Sequence, residues 1–208
     1  MTDGAATVDD TAVDLGRRKF LTVATAATAA VGTAFALGPF IASWEPSERA
    51  RAMGAPVTVD LSKLEVGQMV TYVWRRQPIY IFKRAAAVVS ALPAHDNRLK
   101  DPKSLESEQP AYAKNEHRSR RDDIAVLIAT CTHLGCLPKQ RFEAGDPVLG
   151  TDWPGGFLCP CHGSRFDMAG RVFNGSPAST NLRVPPYSFP NDNTLLIGED
   201  GGGAQGAA

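Results

Sequence analysis

The sequence predicts a mainly β head preceded by one apolar N-terminal helix. An uncharged run at residues 20–44 follows a basic cluster and is long enough to cross a membrane. From Val57 onward, short runs rich in Val, Ile and aromatic residues alternate with Gly, Pro or charged residues, which is typical of strands. All four cysteines lie in two short segments of this β region, box 1 (residues 131–136) and box 2 (residues 159–164).

Composition narrows the class of protein. A chain of 208 residues with 43% hydrophobic content can bury one core and carry an appendage. Its 22 Lys and Arg residues balance 22 Asp and Glu residues, which argues against a nucleic-acid partner. Four cysteines are too few for a disulfide scaffold of this size, so we expect them to serve chemistry.

The N-terminal element predicts export and anchoring. Arg17 and Arg18 precede a mildly apolar stretch, which is typical of a twin-arginine export signal. The uncharged run 20–44 would form a helix roughly 37 Å long, enough for a hydrocarbon layer of about 30 Å. By the positive-inside rule, residues 1–19 are expected in the bacterial cytoplasm and the head in the periplasm, with one span in the inner membrane.

A cleaved signal is the alternative. Ala34-Phe35-Ala36 fits a cleavage site, and Pro39 is unfavourable inside a helix. The apolar run nevertheless continues beyond that site to Trp44, an aromatic residue suited to the membrane interface. We therefore favour a retained anchor.

Residues 45–56 predict a flexible hinge linker, because they are rich in small residues and have no apolar face. A helical extension of the span is the alternative. The head is expected over 57–200, with its cluster-binding part at about 125–180, and a disordered tail over 201–208. The polar segment 83–121 is expected to wind over the surface after a short helix. The predicted helix is Ala85–Leu92, and the predicted strands are Val57–Leu61, Met69–Trp74, Ile79–Phe82, Ile124–Thr130, Arg171–Phe173, Leu182–Val184 and Thr194–Ile197.

The two boxes together offer six candidate metal ligands, four Cys and two His. One tetrahedral zinc ion uses four, so two residues would have another role. A cluster bound by all four cysteines would leave both histidines unused. The third interpretation has one Cys and one His from each box on a [2Fe–2S] cluster, and leaves two cysteines for a disulfide that an exported protein can keep.

The boxes CTHLGC and CPCHGS together resemble those of Rieske iron–sulfur proteins in the form with a loop-bridging disulfide. The twin arginine, the span, the linker and the strands around 181–185 and 196–199 agree with the same family. The chain is similar to the iron–sulfur subunits of bacterial ubiquinol–cytochrome c reductase, the cytochrome bc1 complex. The resemblance implies a Rieske-type antiparallel β head with a small cluster-binding subdomain and one [2Fe–2S] cluster.

The resemblance also implies a role for each box residue. The inner iron would be bound by Cys131 and Cys159, and the outer iron by His133 and His162. The disulfide would join Cys136 and Cys161. Two imidazoles in place of two thiolates raise the reduction potential to about −150 to +300 mV, which suits a quinol as electron donor.

Six neighbours of the cluster are implied in the same way. Ser164 would donate a hydrogen bond to a bridging sulfide. Phe166 stands where many relatives have a tyrosine that donates to a ligand sulfur, so we expect a lower potential than theirs. Leu134 would cap the cluster and contact partners. The remaining three form turns or a covering loop: Gly135, Gly163 and Pro177.

The implied function is proton-coupled electron transfer. His162 would accept a hydrogen bond and a proton from ubiquinol, with His133 titrating beside it, and one electron would pass through the cluster to cytochrome c1. The quinol pocket would be shared with cytochrome b, in a dimeric complex. The alternative is the Rieske small subunit of a periplasmic oxidoreductase such as arsenite oxidase, whose partner is a molybdenum subunit. His95 and His117 have no matching spacing and are not expected to bind metal.

Overall fold

The computed structural model describes residues 15–201. The predicted cytoplasmic tail as far as residue 14, and the predicted C-terminal tail from residue 202, lie outside the described residues. The chain divides into two compact units, and the first of them ends at Ala50. This boundary falls inside the predicted linker 45–56, whose role as a hinge stays a prediction.

Helix α1 (Leu15–Ala42) dominates the first unit and exposes all of its side chains. The hydroxyls of Thr22 and Thr28 each donate to the carbonyl four residues earlier, at 2.8 Å, so these polar groups are satisfied within the helix as a hydrocarbon environment requires. By length and composition, α1 could cross a membrane. Among the described residues, one helix meets this criterion, and it is α1. It begins before the predicted span 20–44, because helical bonding continues through the basic cluster.

A second helix, α2 (Glu48–Met53), lies within the predicted linker. The Ser47 hydroxyl accepts the N–H of Ala50 at 3.2 Å and so satisfies one free donor of the first turn. Six residues are too few for an isolated helix to be stable in water. The linker is therefore part turn and part short helix, separate from α1.

The head is mainly antiparallel β, which confirms the predicted fold class. Its strands form three sheets of three strands each within the described residues. The first sheet has the order β1 (Val57–Asp60), β9 (Thr194–Ile197), β8 (Tyr187–Asn191). The second has β2 (Met69–Trp74), β3 (Gln77–Lys83), β4 (Ile124–Ile128). The third has β5 (Lys139–Arg141), β6 (Gly156–Leu158), β7 (Arg165–Asp167). Between β3 and β4 come helix α3 (Ala86–Ala91) and two 3-10 helices, Leu92–Arg98 and Ala111–Ala113.

Two predicted strands are absent from these sheets. Arg171–Phe173 makes only single bridges, from Val172 to Phe166 and from Phe173 to Leu99. Leu182–Val184 forms no ladder, although Leu182 and Val184 are buried. The apolar side chains of both segments are buried in the hydrophobic clusters of the head, so their apolar residues indicate burial and not strand pairing.

Aromatic packing joins the second sheet to the third. Phe157 on β6 stacks on Tyr80 and meets Phe82 edge-on, at centroid distances of 5.5 and 5.4 Å. Phe142 packs against both Phe82 and Phe157. The buried Tyr80 hydroxyl donates to the carbonyl of Pro138 at 2.8 Å, which satisfies its polar end. The sheet that carries box 2 is therefore fixed to the core of the head.

The expectation that segment 83–121 winds over the surface is only partly right, because the segment also enters the interior. Leu92, Leu99, Arg84 and Arg118 are all buried. The Arg84 guanidinium donates three hydrogen bonds to backbone carbonyls and one to a serine hydroxyl. Burial lowers its pKa to about 10, against the raising effect of nearby carboxylates, so it stays charged at neutral pH. The sequence of this segment resembles that of a surface loop because many of its buried residues are polar or charged.

Candidate metal centre

The two boxes adopt the same loop conformation. Box 1 follows β4, and box 2 connects β6 to β7. In each box, the N–H of the first cysteine donates to the carbonyl of the sixth residue, and the glycine N–H at the fifth position donates back to the first cysteine. Those glycines, Gly135 and Gly163, have φ of +82° and +76°, a region that side chains with a Cβ rarely adopt. The structure therefore agrees with the turn role predicted for both glycines.

The four cysteines divide into two kinds. Cys136 and Cys161 form a disulfide, with Cα atoms 6.6 Å apart, as predicted. Cys131 and Cys159 are free and buried, each 2% exposed. Burial and the neighbouring Cys159 raise the pKa of the Cys131 thiol, whereas the His133 N–H and the Ser164 hydroxyl act to lower it. One pair of cysteines is therefore oxidised, whereas the other keeps free thiols that can bind a metal.

The two histidines of the boxes lie together on the outer side. Their rings are 4.8 Å apart between centroids and nearly perpendicular. His133 is half-buried and His162 is exposed. Two buried thiols and two outer imidazoles thus fit a [2Fe–2S] cluster with one all-sulfur iron and one imidazole-bound iron. The disulfide rules out a cluster bound by all four cysteines, because two of the sulfurs are bonded to each other.

A loop over residues 175–180, hereafter the cover loop, is bonded to both boxes. The buried Ser164 hydroxyl accepts the N–H of Ala178 at 3.0 Å. The Thr132 hydroxyl donates to the carbonyl of Thr180 at 2.6 Å. Pro177 is exposed between these two attachments. The loop is therefore joined to each box by one hydrogen bond, and its role in covering a cluster stays a prediction.

Phe166 lies on β7, two residues after Ser164, and is fully buried. It pairs in register with Phe157 and belongs to the main core. Gly156 must be glycine here, because a Cβ at its φ of +149° would overlap the Phe166 carbonyl oxygen. The aromatic ring therefore has a packing role, and its influence on a cluster stays a prediction.

Two leucines close to the histidines in sequence are exposed to solvent. Leu134 is 70% exposed and Leu137 is 49% exposed, and both flank the disulfide cysteine of box 1. The role of Leu134 in capping the cluster and contacting partners stays a prediction.

Sequence reasoning missed the contribution of segment 83–121 to this centre. Glu106 and Glu108 line a cleft beside His133, together with Arg183 from the later part of the chain. Lys100 bonds the cover loop. These residues are distant in sequence and have no motif spacing, so only the fold could identify them. By contrast, His95 is buried and forms a hydrogen bond with Asp167 at 3.3 Å.

Two family models match this chain. A family model described as "Rieske [2Fe-2S] domain" matches residues 59–187. Another, "Ubiquitinol-cytochrome C reductase Fe-S subunit TAT signal", matches residues 7–47 and confirms the predicted export signal. A likeness to a solved structure entitled "Hyperthermophilic respiratory Complex III" has a TM-score of 0.45 and 26% identity, covering 84% of this chain and 98% of that one.

Two curated relatives carry the same description, "Ubiquinol-cytochrome c reductase iron-sulfur subunit". The protein of Allochromatium vinosum is 51% identical over 188 residues, which cover 90% of this chain and 91% of the relative. That of Bradyrhizobium diazoefficiens is 43% identical over 183 residues, 88% of this chain and 94% of the relative. The chain therefore belongs to the Rieske [2Fe–2S] family, among the ubiquinol–cytochrome c reductase iron–sulfur subunits, and its cofactor is a [2Fe–2S] cluster.

Proposed function

We propose that this chain is the electron-transfer subunit of a cytochrome bc1 complex, which takes one electron from ubiquinol and passes it to cytochrome c1. The observation that carries the proposal is the 51% identity, over 90% of this chain, to a ubiquinol–cytochrome c reductase iron–sulfur subunit. The division of the boxes into a disulfide and a Cys–His ligand set supports it. Quinol oxidation and proton translocation are then activities of the whole complex.

Four residues would hold the cluster: Cys131, His133, Cys159 and His162. The two thiols are buried, whereas the two imidazoles are nearer to solvent. When bound, the cluster supplies a one-electron acceptor with a potential of about −150 to +300 mV.

The exposed imidazole of His162 is the residue that would meet the substrate. A quinol hydroxyl can donate a hydrogen bond to its ring nitrogen, and the ring can hold the proton that the quinol loses. Leu134 is exposed beside His133, and Pro177 is exposed on the cover loop. These apolar side chains suit the wall of a quinone pocket, which cytochrome b would complete.

The N-terminal part supports a membrane-bound subunit. Helix α1 is fully exposed and apolar, and its basic cluster lies at its N-terminal end. Excess positive charge stays in the cytoplasm, so we infer a cytoplasmic N-terminus and a periplasmic head. The partners are cytochrome b and cytochrome c1, within a dimeric complex. Helix α2 is short, and its residues 48–52 are exposed, which supports the linker 45–56 as the segment on which the head moves.

Purification from membranes tests this function directly. We expect b- and c-type haems to co-purify, quinol to reduce cytochrome c, and the reduced subunit to give the electron paramagnetic resonance (EPR) signal of a Rieske centre. Co-purification with a molybdenum subunit would favour the arsenite oxidase alternative. A colourless subunit without an EPR signal would contradict both.

Phe166→Tyr is expected to raise the reduction potential. A tyrosine hydroxyl that donates to a ligand sulfur stabilises the more negative reduced state. One neutral hydrogen bond contributes about 0.5–1.5 kcal/mol, which corresponds to roughly 20–65 mV for one electron. Voltammetry measures the change. The control is Phe142→Tyr, which adds a hydroxyl to the same aromatic cluster at a half-buried position. An equal rise in both variants, or none in Phe166→Tyr, would contradict this tuning role.

A further inference from the structure

Lys100 makes a contact that the ligand motif does not explain. Its ammonium group donates to the carbonyl of Ser176 and to that of Ala178, both at 2.7 Å. Both carbonyls belong to the cover loop. A hydrogen bond from a charged donor is shorter and about twice as strong as a neutral one. Lys100 therefore fastens the cover loop from a segment about 75 residues earlier in the chain.

Ala178 of the cover loop also forms a hydrogen bond with Ser164. Ala178 is fully buried, and its N–H donates to the Ser164 hydroxyl oxygen at 3.0 Å. A hydroxyl has one proton, and when its oxygen accepts from Ala178 that proton is directed to another acceptor. Ser164 is itself fully buried in box 2, and its carbonyl accepts the N–H of Cys159 at 2.8 Å, so its hydroxyl lies among the buried groups of the centre. Ala178 is thus held by Lys100 at its carbonyl and by Ser164 at its N–H.

Hydrogen bonds hold the backbone at Lys100 and its two neighbours in place. Its own N–H donates to the carbonyl of Val172 at 3.0 Å, and the neighbouring Leu99 forms a bridge with Phe173. The next residue, Asp101, is buried, and its carboxylate accepts three backbone N–H groups and one serine hydroxyl. Because the backbone is held, the Lys100 ammonium group can move only by rotation about the bonds of its own side chain.

The residue that follows the cover loop is held by the same segment. The fully buried Asn181 donates from its amide nitrogen to the carbonyl of Asp101 at 2.9 Å and to the Ser104 hydroxyl at 3.0 Å. Its own N–H donates to the Ser107 hydroxyl. Residues 100–107 thus bond the cover loop at Ser176 and Ala178 and bond the residue that follows it.

We propose that Lys100 is a positioning residue: it holds the cover loop so that Ala178 keeps the Ser164 hydroxyl in place, with the hydroxyl proton available to a sulfur of the bound [2Fe–2S] cluster. The inference rests on the proposed function, since it assigns segment 83–121 a part in tuning the same site. The alternative is that the positive charge of Lys100 acts on the potential through solvent, without any effect on the loop.

The test compares three variants of the full complex in membranes: Lys100→Met, Lys100→Arg and Lys103→Met. Methionine keeps an apolar stem of similar length but cannot donate. Arginine can donate to both carbonyls. Lys103 is an exposed lysine of the same segment, so Lys103→Met removes an equal charge. The measurements are hydrogen–deuterium exchange of peptides that cover residues 175–180, and the midpoint potential from EPR-monitored titration.

For Lys100→Met we expect exchange of the Ala178 amide to be about tenfold faster, as for the loss of a charged hydrogen bond, together with a lower potential at low and high salt. Lys100→Arg should restore both values, and Lys103→Met should leave exchange unchanged. Unchanged exchange in Lys100→Met would overturn the proposal. So would faster exchange with an unaltered potential, or a drop in potential that is equal in Lys103→Met and disappears at high salt.

Failure of the proposed function gives a different result. A wild-type complex without the Rieske EPR signal or quinol-dependent reduction of cytochrome c would contradict that function. The exchange comparison at residues 175–180 needs neither signal, so it reports on the Lys100 contact independently.

Discussion

Cys159→Ser is expected to leave the subunit in the membrane without its [2Fe–2S] cluster. Cys159 is buried and free, close to the equally buried Cys131. A serine hydroxyl is a poor ligand for iron that prefers soft thiolate. The measurement is the EPR signal of reduced membranes, normalised to the amount of subunit by immunoblot. We expect the normalised signal to fall to background.

The matched control makes the same chemical change at the other two cysteines. Cys136→Ser with Cys161→Ser should keep the cluster signal, because these sulfurs are bonded to each other and not to iron. The cost is in stability: the disulfide closes a loop between positions 25 residues apart, and its loss lowers the free energy of unfolding by about 3.5 kcal/mol. Retention of the cluster in Cys159→Ser and its loss in the double variant would reverse the assignment of ligands.

Arg171→Met is expected to cost about 3–5 kcal/mol of unfolding free energy, because it leaves a buried carboxylate without its cation. Arg171 and Asp167 are both fully buried, and the Arg171 Nε lies 2.8 Å from the Asp167 Oδ2. Further hydrogen bonds join the guanidinium group to Asp96 and to the carbonyl of Leu92. Chemical denaturation of the wild-type and variant heads within the full chain measures the difference.

The control is Arg98→Met, which breaks a pair with Asp152 at the same N–O distance of 2.7 Å as that between Arg171 and Asp96. Because Arg98 and Asp152 are exposed to solvent, we expect a loss of only about 0–1 kcal/mol. Equal losses in the two variants would show that burial of the Arg171 pair has no special effect.

The pH dependence of the unfolding free energy should distinguish Arg171→Met from Arg98→Met further. Burial acts to raise the pKa of Asp167, but the hydrogen bond with His95, the charge of Arg171 and backbone N–H donors together hold it below its usual value. Its stabilising effect is therefore present above the unfolded pKa of about 3.9 and is lost as pH falls through the lower folded pKa. The loss of unfolding free energy in Arg171→Met, relative to the wild type, should become smaller toward pH 4, because protonated Asp167 no longer requires a cation.

Part of the fold could be predicted from local pattern. Strands β2 and β9 have the predicted bounds, since their apolar runs end at turn residues. Strands β5, β6 and β7 were not predicted, because each has three residues and β5 exposes all of them, so no alternation is visible. They exist because long-range pairing with their neighbours satisfies their backbone groups, a cause that lies outside any short window of sequence.

The functional site, like the fold, could be predicted only in part from the sequence. The twelve residues of the two boxes identified the candidate ligands, because thiol, imidazole and glycine at close spacing are chemically distinctive. Lys100 and Asn181 could not be recognised as supports of the cover loop, since lysine and asparagine occur on any polar surface. Only their position opposite carbonyl and hydroxyl groups gives them that role.

By itself, the amino-acid sequence determined the export signal, the apolar span, the β character of the head and the family to which the boxes belong. These properties depend on residue type and spacing along the chain. The tertiary structure decided that Lys100 holds the cover loop and that the polar segment 83–121 enters the interior. A charged group is buried only where distant parts of the chain supply its partners, and that condition is met only in the folded molecule.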